Sequence, residues 1–198
     1  MTKRIVTEMY RAVADTLSTL PESEIADIYA LSFFIYDECD DPRHPTLTLG
    51  YNTQNQWRSE LSEDSDPEAS DSQEAKWNYA FWIQNTLLVF GEEGQPSADT
   101  VTRWVSELGL LYTDADEEAD FERCLEIGRD ITEHFVQVVC EVASALHEQG
   151  VVRKVFGRNV PIIIHELEYD EQIAAQTERS NPPGVAAEFV NWVRYDWI

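Results

Sequence analysis

The stretch IADIYALSFFIYDE, residues 25–38, decides the fold. It is rich in aromatic and β-branched residues and apolar on both faces, the pattern of a central strand covered from two sides. Such a strand needs a partner, and TLTLGYN, residues 46–52, reads as one: Leu47, Leu49 and Tyr51 face one way, and Thr46, Thr48 and Asn52 the other, as in a half-buried strand. The intervening DECDDPRHP is too short for a parallel crossover, so the pair is expected to be antiparallel.

Covering layers come from the rest of the chain. Upstream, Ile5, Met9, Val13 and Leu17 recur at helical steps until Pro21 stops the run. Downstream, Pro96-Ser97 and Asp99 open a helix with Val101, Trp104, Val105 and Leu108 on one stripe before Gly109. The longest helical pattern follows TDADEEADFE, with Phe121, Leu125, Ile131, Phe135, Val138, Val139, Val142 and Leu146 expected inward, Gly128 as a point of bending or splitting, and Gly150 as its end. Its acids Glu117, Glu118 and Asp120 suit a helix N-terminus.

Two stretches read as further strands. In KWNYAFWIQNTLLVFG, Trp77, Tyr79, Phe81 and Ile83 alternate, while Trp77, Phe81 and Gln84 also share a helical face; the strand reading is the one taken. NVPIIIHELEYDE holds an apolar core from Val160 to Ile164, expected to pair with VVRKVFG through a turn near Gly157. Two helices close the chain, one from Asp170 to the Asn181-Pro182-Pro183-Gly184 break, the other with Val185, Phe189, Trp192 and Val193 on one face. The sum is a single α+β domain over residues 1–198, a mainly antiparallel sheet covered by helices, with an acidic loop at 59–75. Length, 43% hydrophobic content and six Trp, eight Tyr and eight Phe are enough for one core.

Charge bounds the partners. With 38 Asp and Glu against 14 Lys and Arg the net charge is −24, a field that repels nucleic acid and anionic membranes and attracts cationic protein surfaces. The same surplus also serves solubility or a salt-rich cytoplasm. Arg outnumbers Lys 11 to 3, as in chains from GC-rich genomes. Cys39, Cys124 and Cys140 form no CxxC pair, so reduced thiols are expected, and with no signal-like start or long apolar run the expected location is the cytoplasm.

The densest acidic run is SELSEDSDPEASDSQEAKW, residues 59–77. Its only large apolar residue before Lys76 is Leu61, which points to a loop in water, and Glu60, Glu63, Asp64, Asp66, Glu68 and Asp71 are the candidate partner-binding residues. Asp64, Asp66 and Glu68 imitate a calcium loop, but Pro67 and Ala69 break its pattern. Asp40, Asp41 and His44, or His165 with Glu166 and Glu168, offer metal-type ligands without the spacing of H-E-x-x-H, and solvated loops are the expected role. GEEGQP at 91–96 reads as a turn, since Glu92 and Glu93 repel phosphate. No nucleophile elbow or cysteine signature is present, and Cys140 and His147, two turns apart on one helix, read as core cysteine and surface histidine. No catalytic residue, metal or cofactor is expected.

PIIIHELEYDEQIAAQTERSNPPG and the following EFVNWV, with IYALSFFIYDE, TLTLGYNT and EAKWNYAFW, resemble a widespread bacterial family known only as a domain of unknown function. Small acidic proteins of this kind look like immunity proteins of polymorphic toxin systems, including the superfamily that contains Smi1/Knr4-type domains. The resemblance implies an acidic cytoplasmic binding protein that neutralises a basic toxin. The alternative is a structural or regulatory domain, acidic only for solubility or salt adaptation.

Overall fold

The computed structural model describes residues 2–61 and 69–197. Its centre is a four-stranded sheet of β1 (Ile28–Asp37), β2 (Pro45–Thr53), β3 (Leu88–Phe90) and β4 (Ile162–His165), in the order β3-β2-β1-β4. β1 and β2 pair antiparallel from Ala30↔Asn52 to Asp37↔Pro45, and β2 pairs antiparallel with β3. β4 joins the other side of β1 in parallel, Leu31↔Ile162 to Phe34↔His165. The α+β class, the sheet's mainly antiparallel character and the antiparallel first pair therefore stand as the sequence indicated.

β1 is buried on both faces because two helical layers cover the sheet. One layer holds α1 (Thr2–Ser18) and the long α7 (Phe121–Glu148), with α5 (Pro96–Leu108) and α8 (Val151–Phe156). There Leu31, Phe33, Ile35, Leu47 and Leu49 meet Ile5, Met9, Val13, Phe135 and Val139 in one cluster. The opposite layer holds α4 (Ser72–Trp77), α9 (Glu171–Ser180) and α10 (Ala187–Tyr195), whose Trp77, Ile173, Phe189 and Trp192 pack with Ala30 and Ile163. A register shift between Ile28 and Ala30 leaves Tyr29 as an extra residue, so Ile28 and Leu31 face the same core although three positions apart. The shorter helices α2 (Glu22–Ile25), α3 (Gln54–Glu60) and α6 (Asp114–Ala119) fill the connections.

Four sequence expectations are corrected. VVRKVFG is α8 rather than a strand: Gly150 turns left-handed (φ 75°) and the chain restarts as a helix with Val152 and Phe156 buried at i, i+4, so packing overrides β propensity. The alternating 77–83 run is the end of α4 and a single 3-10 turn, Tyr79–Phe81; its rings lie on the sheet face instead of pairing at an edge, and pairing starts only at Leu88. β2 is buried on both faces, since Thr46 donates to the Tyr36 carbonyl (2.8 Å) and Asn52 to the Tyr29 hydroxyl (3.0 Å) beneath the second layer. Gly128 does not split the long helix. It admits Pro42, whose Cγ would lie 2.8 Å from an added Cβ.

The outer edge of β4 is closed by side chains of α9 and the residue after it. Asn181 accepts from the Ile162 N–H (2.9 Å) and donates to the Ile162 carbonyl (2.8 Å). Thr177 accepts from the Ile164 N–H (3.1 Å), and Gln176 donates to its carbonyl (3.0 Å). A helix thus supplies what a fifth strand would have supplied, and the edge offers nothing to another chain. Asn181 also takes a hydrogen bond from His147 (Nε2–Oδ1 3.0 Å), which places that histidine partly inside, where burial lowers its pKa, and not at the surface as its sequence position suggested. Asn181→Ala is expected to cost about 3 kcal/mol by leaving two buried backbone groups of Ile162 unpaired. Thermal unfolding would show it as a fall in Tm of roughly 6–12 °C, and a change near zero would show that water replaces the amide.

Candidate functional site

A groove of about 960 Å³ opens where the C-terminal ends of the parallel strands β1 and β4 meet the first half of α7. Each wall follows from a local feature of the chain. β1 leaves the sheet at Tyr36 and Asp37 and turns sharply through Cys39 and Asp40, both left-handed (φ 56° and 59°). α7 is 28 residues long, about 42 Å, and its first turns bury Cys124 and Gly128 while leaving Phe121 and Leu125 exposed on the face turned to the groove. β4 ends at His165, and residues 166–170 cross the groove mouth before Asp170 caps α9 by accepting from the Ile173 N–H (2.9 Å). Arg43 braces the rim: it binds Asp41 and Asp114 (2.6 and 2.7 Å) and lies 5.0 Å over the Tyr112 ring, tying the β1–β2 turn to α6.

The groove is apolar inside and acidic around. Tyr36, Phe121, Leu125 and Leu167 line it while 41%, 54%, 39% and 69% exposed, so four of the described chain's large exposed hydrophobics converge on one surface. The inward placement expected of Phe121 and Leu125 is thereby corrected: they stay exposed on the first turns of α7, which bury Cys124 and Gly128 instead. Asp37 and Asp40 come from the β1 end, Glu117 from α6, Glu133 from α7, and Glu166, Glu168 and Asp170 from the segment after β4. Against these seven carboxylates the lining holds one cation, Arg129.

Two of the acids stand apart. Burial raises the pKa of Asp37, with the charges of Asp41 and Asp40 adding to it. Burial likewise raises Glu166, with Asp37 and Asp170 adding. Asp37 Oδ1 is buried with no hydrogen-bond partner, and neither carboxylate is in a salt bridge with a cation among the described residues. An ionised carboxylate kept in such a place costs stability.

His165 is fully buried at the end of β4, which corrects the solvated-loop reading. Its Nδ1 lies 2.9 Å from the Glu166 carbonyl and its Nε2 2.8 Å from Ser32 Oγ, so the ring donates to the carbonyl and accepts from the hydroxyl as a neutral imidazole. Phe34, Tyr79, Trp82 and Tyr169 enclose it, and burial pushes its pKa down to about 4. Neither it nor Asp40, Asp41 and His44 belongs to a group of three metal-type ligands among the described residues. The ring is a strut that holds the peptide of Glu166 in place.

The described ends of the acidic run, residues 59–61 and 69–77, lie outside the groove lining. Glu63, Asp64, Asp66 and Glu68 fall outside the described residues. Glu60 ends α3 and accepts from Gln56 (2.8 Å), and Asp71 caps α4 by accepting from the Gln73 and Glu74 N–H groups (2.7 and 2.9 Å). The loop expected at 59–75 is corrected at its C-terminal end, where Ser72–Trp77 is helical and Ala75 is buried. Trp57 donates to the Ser72 carbonyl, and Lys76 sits 4.8 Å over the Trp57 ring and 2.6 Å from Glu188, so the flanks of the run are pinned to each other and to α10. Of the residues expected to bind a partner, the two described ones, Glu60 and Asp71, do not line the groove. The groove residues had a sequence mark of their own: both IYDECDD and HELEYDE end a strand in an exposed apolar residue set among acids.

Comparison of the chain with family models, curated proteins and solved structures gives no match. The surface itself carries a prediction. Because the folded pKa of Asp37 is raised, its ionised form penalises the native state above that pKa, and the penalty fades as pH falls to the unfolded value near 3.9. Asp37→Asn should therefore raise Tm at pH 7–8, roughly 2–4 °C for each kcal/mol recovered, and the gain should vanish by about pH 3. A lowered Tm at neutral pH would mean that Asp37 stabilises the fold through a contact of its own.

Proposed function

We propose that this protein is an acidic binding protein whose groove receives a cationic polypeptide, acting as an immunity protein does when it occludes a basic toxin. The observation that carries this reading is the coincidence, on one surface, of four exposed apolar side chains with seven carboxylates and a single guanidinium. Solvation alone accounts for acids on a surface but not for apolar residues gathered among them. The net charge of −24 adds a long-range field that speeds encounter with a cationic partner, and the 60–71 acids take part in that field wherever the partner finally docks.

The test is co-expression with a candidate basic toxin encoded in the same genome, followed by binding kinetics. The expected result is protection of the host cell and an association rate that falls about a hundredfold between low and high salt. Leu125→Asp with Leu167→Asp, both at exposed positions, should speed dissociation at least about tenfold without lowering Tm. Absence of a complex, or a complex indifferent to salt and to both leucines, would overturn the reading.

A further inference from the structure

The groove's walls restrict what kind of polypeptide fits. β4 covers β1 from Leu31 to Phe34, and its own outer edge is occupied by Asn181, Thr177 and Gln176, so beside the groove only the short stretch Ile35–Asp37 of β1 runs past β4. An extended peptide would lose water from its N–H and C=O groups there and find only that three-residue stretch to pair with. An occupant that pairs its own backbone avoids that cost, which favours a helix. Phe121 and Leu125 form an i, i+4 ridge on α7, the counterpart for an apolar helical stripe, with Tyr36 and Leu167 facing it from the strand ends. From Phe121 to Glu133 the wall runs about 18 Å, about three helical turns.

Within that wall, the charge of Asp37 helps raise the pKa of Glu166, and Asp37 Oδ1 lacks a hydrogen-bond donor. A planar guanidinium has five N–H groups in a fork able to serve two carboxylates, whereas an ammonium is a strongly hydrated point charge that loses more on entering a half-buried site. A second copy of this chain is a poor occupant, since two bodies of −24 repel.

We propose that the groove is a receptor for an amphipathic cationic helix of about three turns, whose apolar stripe covers Phe121 and Leu125 and one of whose arginines inserts between Asp37 and Glu166. The inference rests on the binding reading above and names the form and the anchor of the partner. It makes Asp37 and Glu166 specificity determinants, and the stability they cost is recovered when the arginine arrives.

The probe is a fluorescently labelled synthetic peptide of about 14 residues, with leucines at helical spacing and arginines elsewhere, together with an all-lysine version and a version broken by a central proline. Fluorescence anisotropy against the full-length protein should give the arginine helix an affinity at least about tenfold above the lysine helix and above the proline-broken peptide. Asp37→Asn with Glu166→Gln should remove the preference for arginine, weakening the arginine helix more than the lysine helix until the two bind alike. Circular dichroism should show this double variant folded and no less stable than the parent. Equal binding of arginine and lysine helices, unaltered in the double variant, would overturn the anchor while leaving a cationic groove in place. Equal binding of helical and proline-broken peptides would overturn the helical occupant. No binding of any of the three would overturn this inference and count against the binding reading as well.

Discussion

Burial of β1 on both faces is the constraint from which the rest follows. A strand with apolar residues at successive positions cannot leave one face in water without exposing Ala30, Ile163 and the rings around them, so a second helical layer is obligatory. The short connection to β2 occupies one edge of β1, and the other edge accepts β4 only after a crossover long enough to place α5, α7 and α8 on the first face. Parallel pairing sends β1 and β4 out of the sheet at the same end. Their acidic exits, Tyr36-Asp37 and Glu166-Leu167, therefore line one surface, and the first turns of α7 wall it into a groove.

Within the groove the physics runs against stability. Asp37 is partly buried with an unpartnered oxygen, the more exposed Glu166 feels its charge, and Tyr36, Phe121, Leu125 and Leu167 hold apolar surface in water. The surroundings enforce this arrangement: His165 fixes the Glu166 peptide from beneath, Pro42 against Gly128 sets the approach of the β1–β2 turn to α7, and Arg43 locks that turn to α6. Rigid support around a destabilised centre is what a binding surface requires, because the partner then meets charges and apolar groups already in position.

Most of the architecture was legible because periodicity and end signals agree. The stripes of α1 and α5, the left-handed Gly109 after α5, the Asp170 cap and the Asn-Pro-Pro-Gly break all appear where the sequence puts them. The failures share one cause, tertiary packing that a local pattern does not contain. VVRKVFG has the composition of a strand and becomes a helix because Val152 and Phe156 find the core at i, i+4. WNYAFW alternates as a strand would, yet its rings turn onto Tyr29 and His165. The densest acidic run drew the eye to residues 59–75, while the acids that the fold assembles lie on separate segments, β1, α6, α7 and the β4–α9 connection, and no window of sequence holds them together.

The central claim is that the binding surface is the groove rather than the acidic run, and backbone amide chemical-shift mapping tests it most directly. An isotope-labelled sample titrated with a leucine- and arginine-rich helical peptide should show its largest perturbations at Tyr36, Asp37, Leu125, Gly128 and Leu167, with smaller changes along α3 and α4. Perturbations concentrated on residues 54–61 and 69–77, with the groove amides unmoved, would contradict the account.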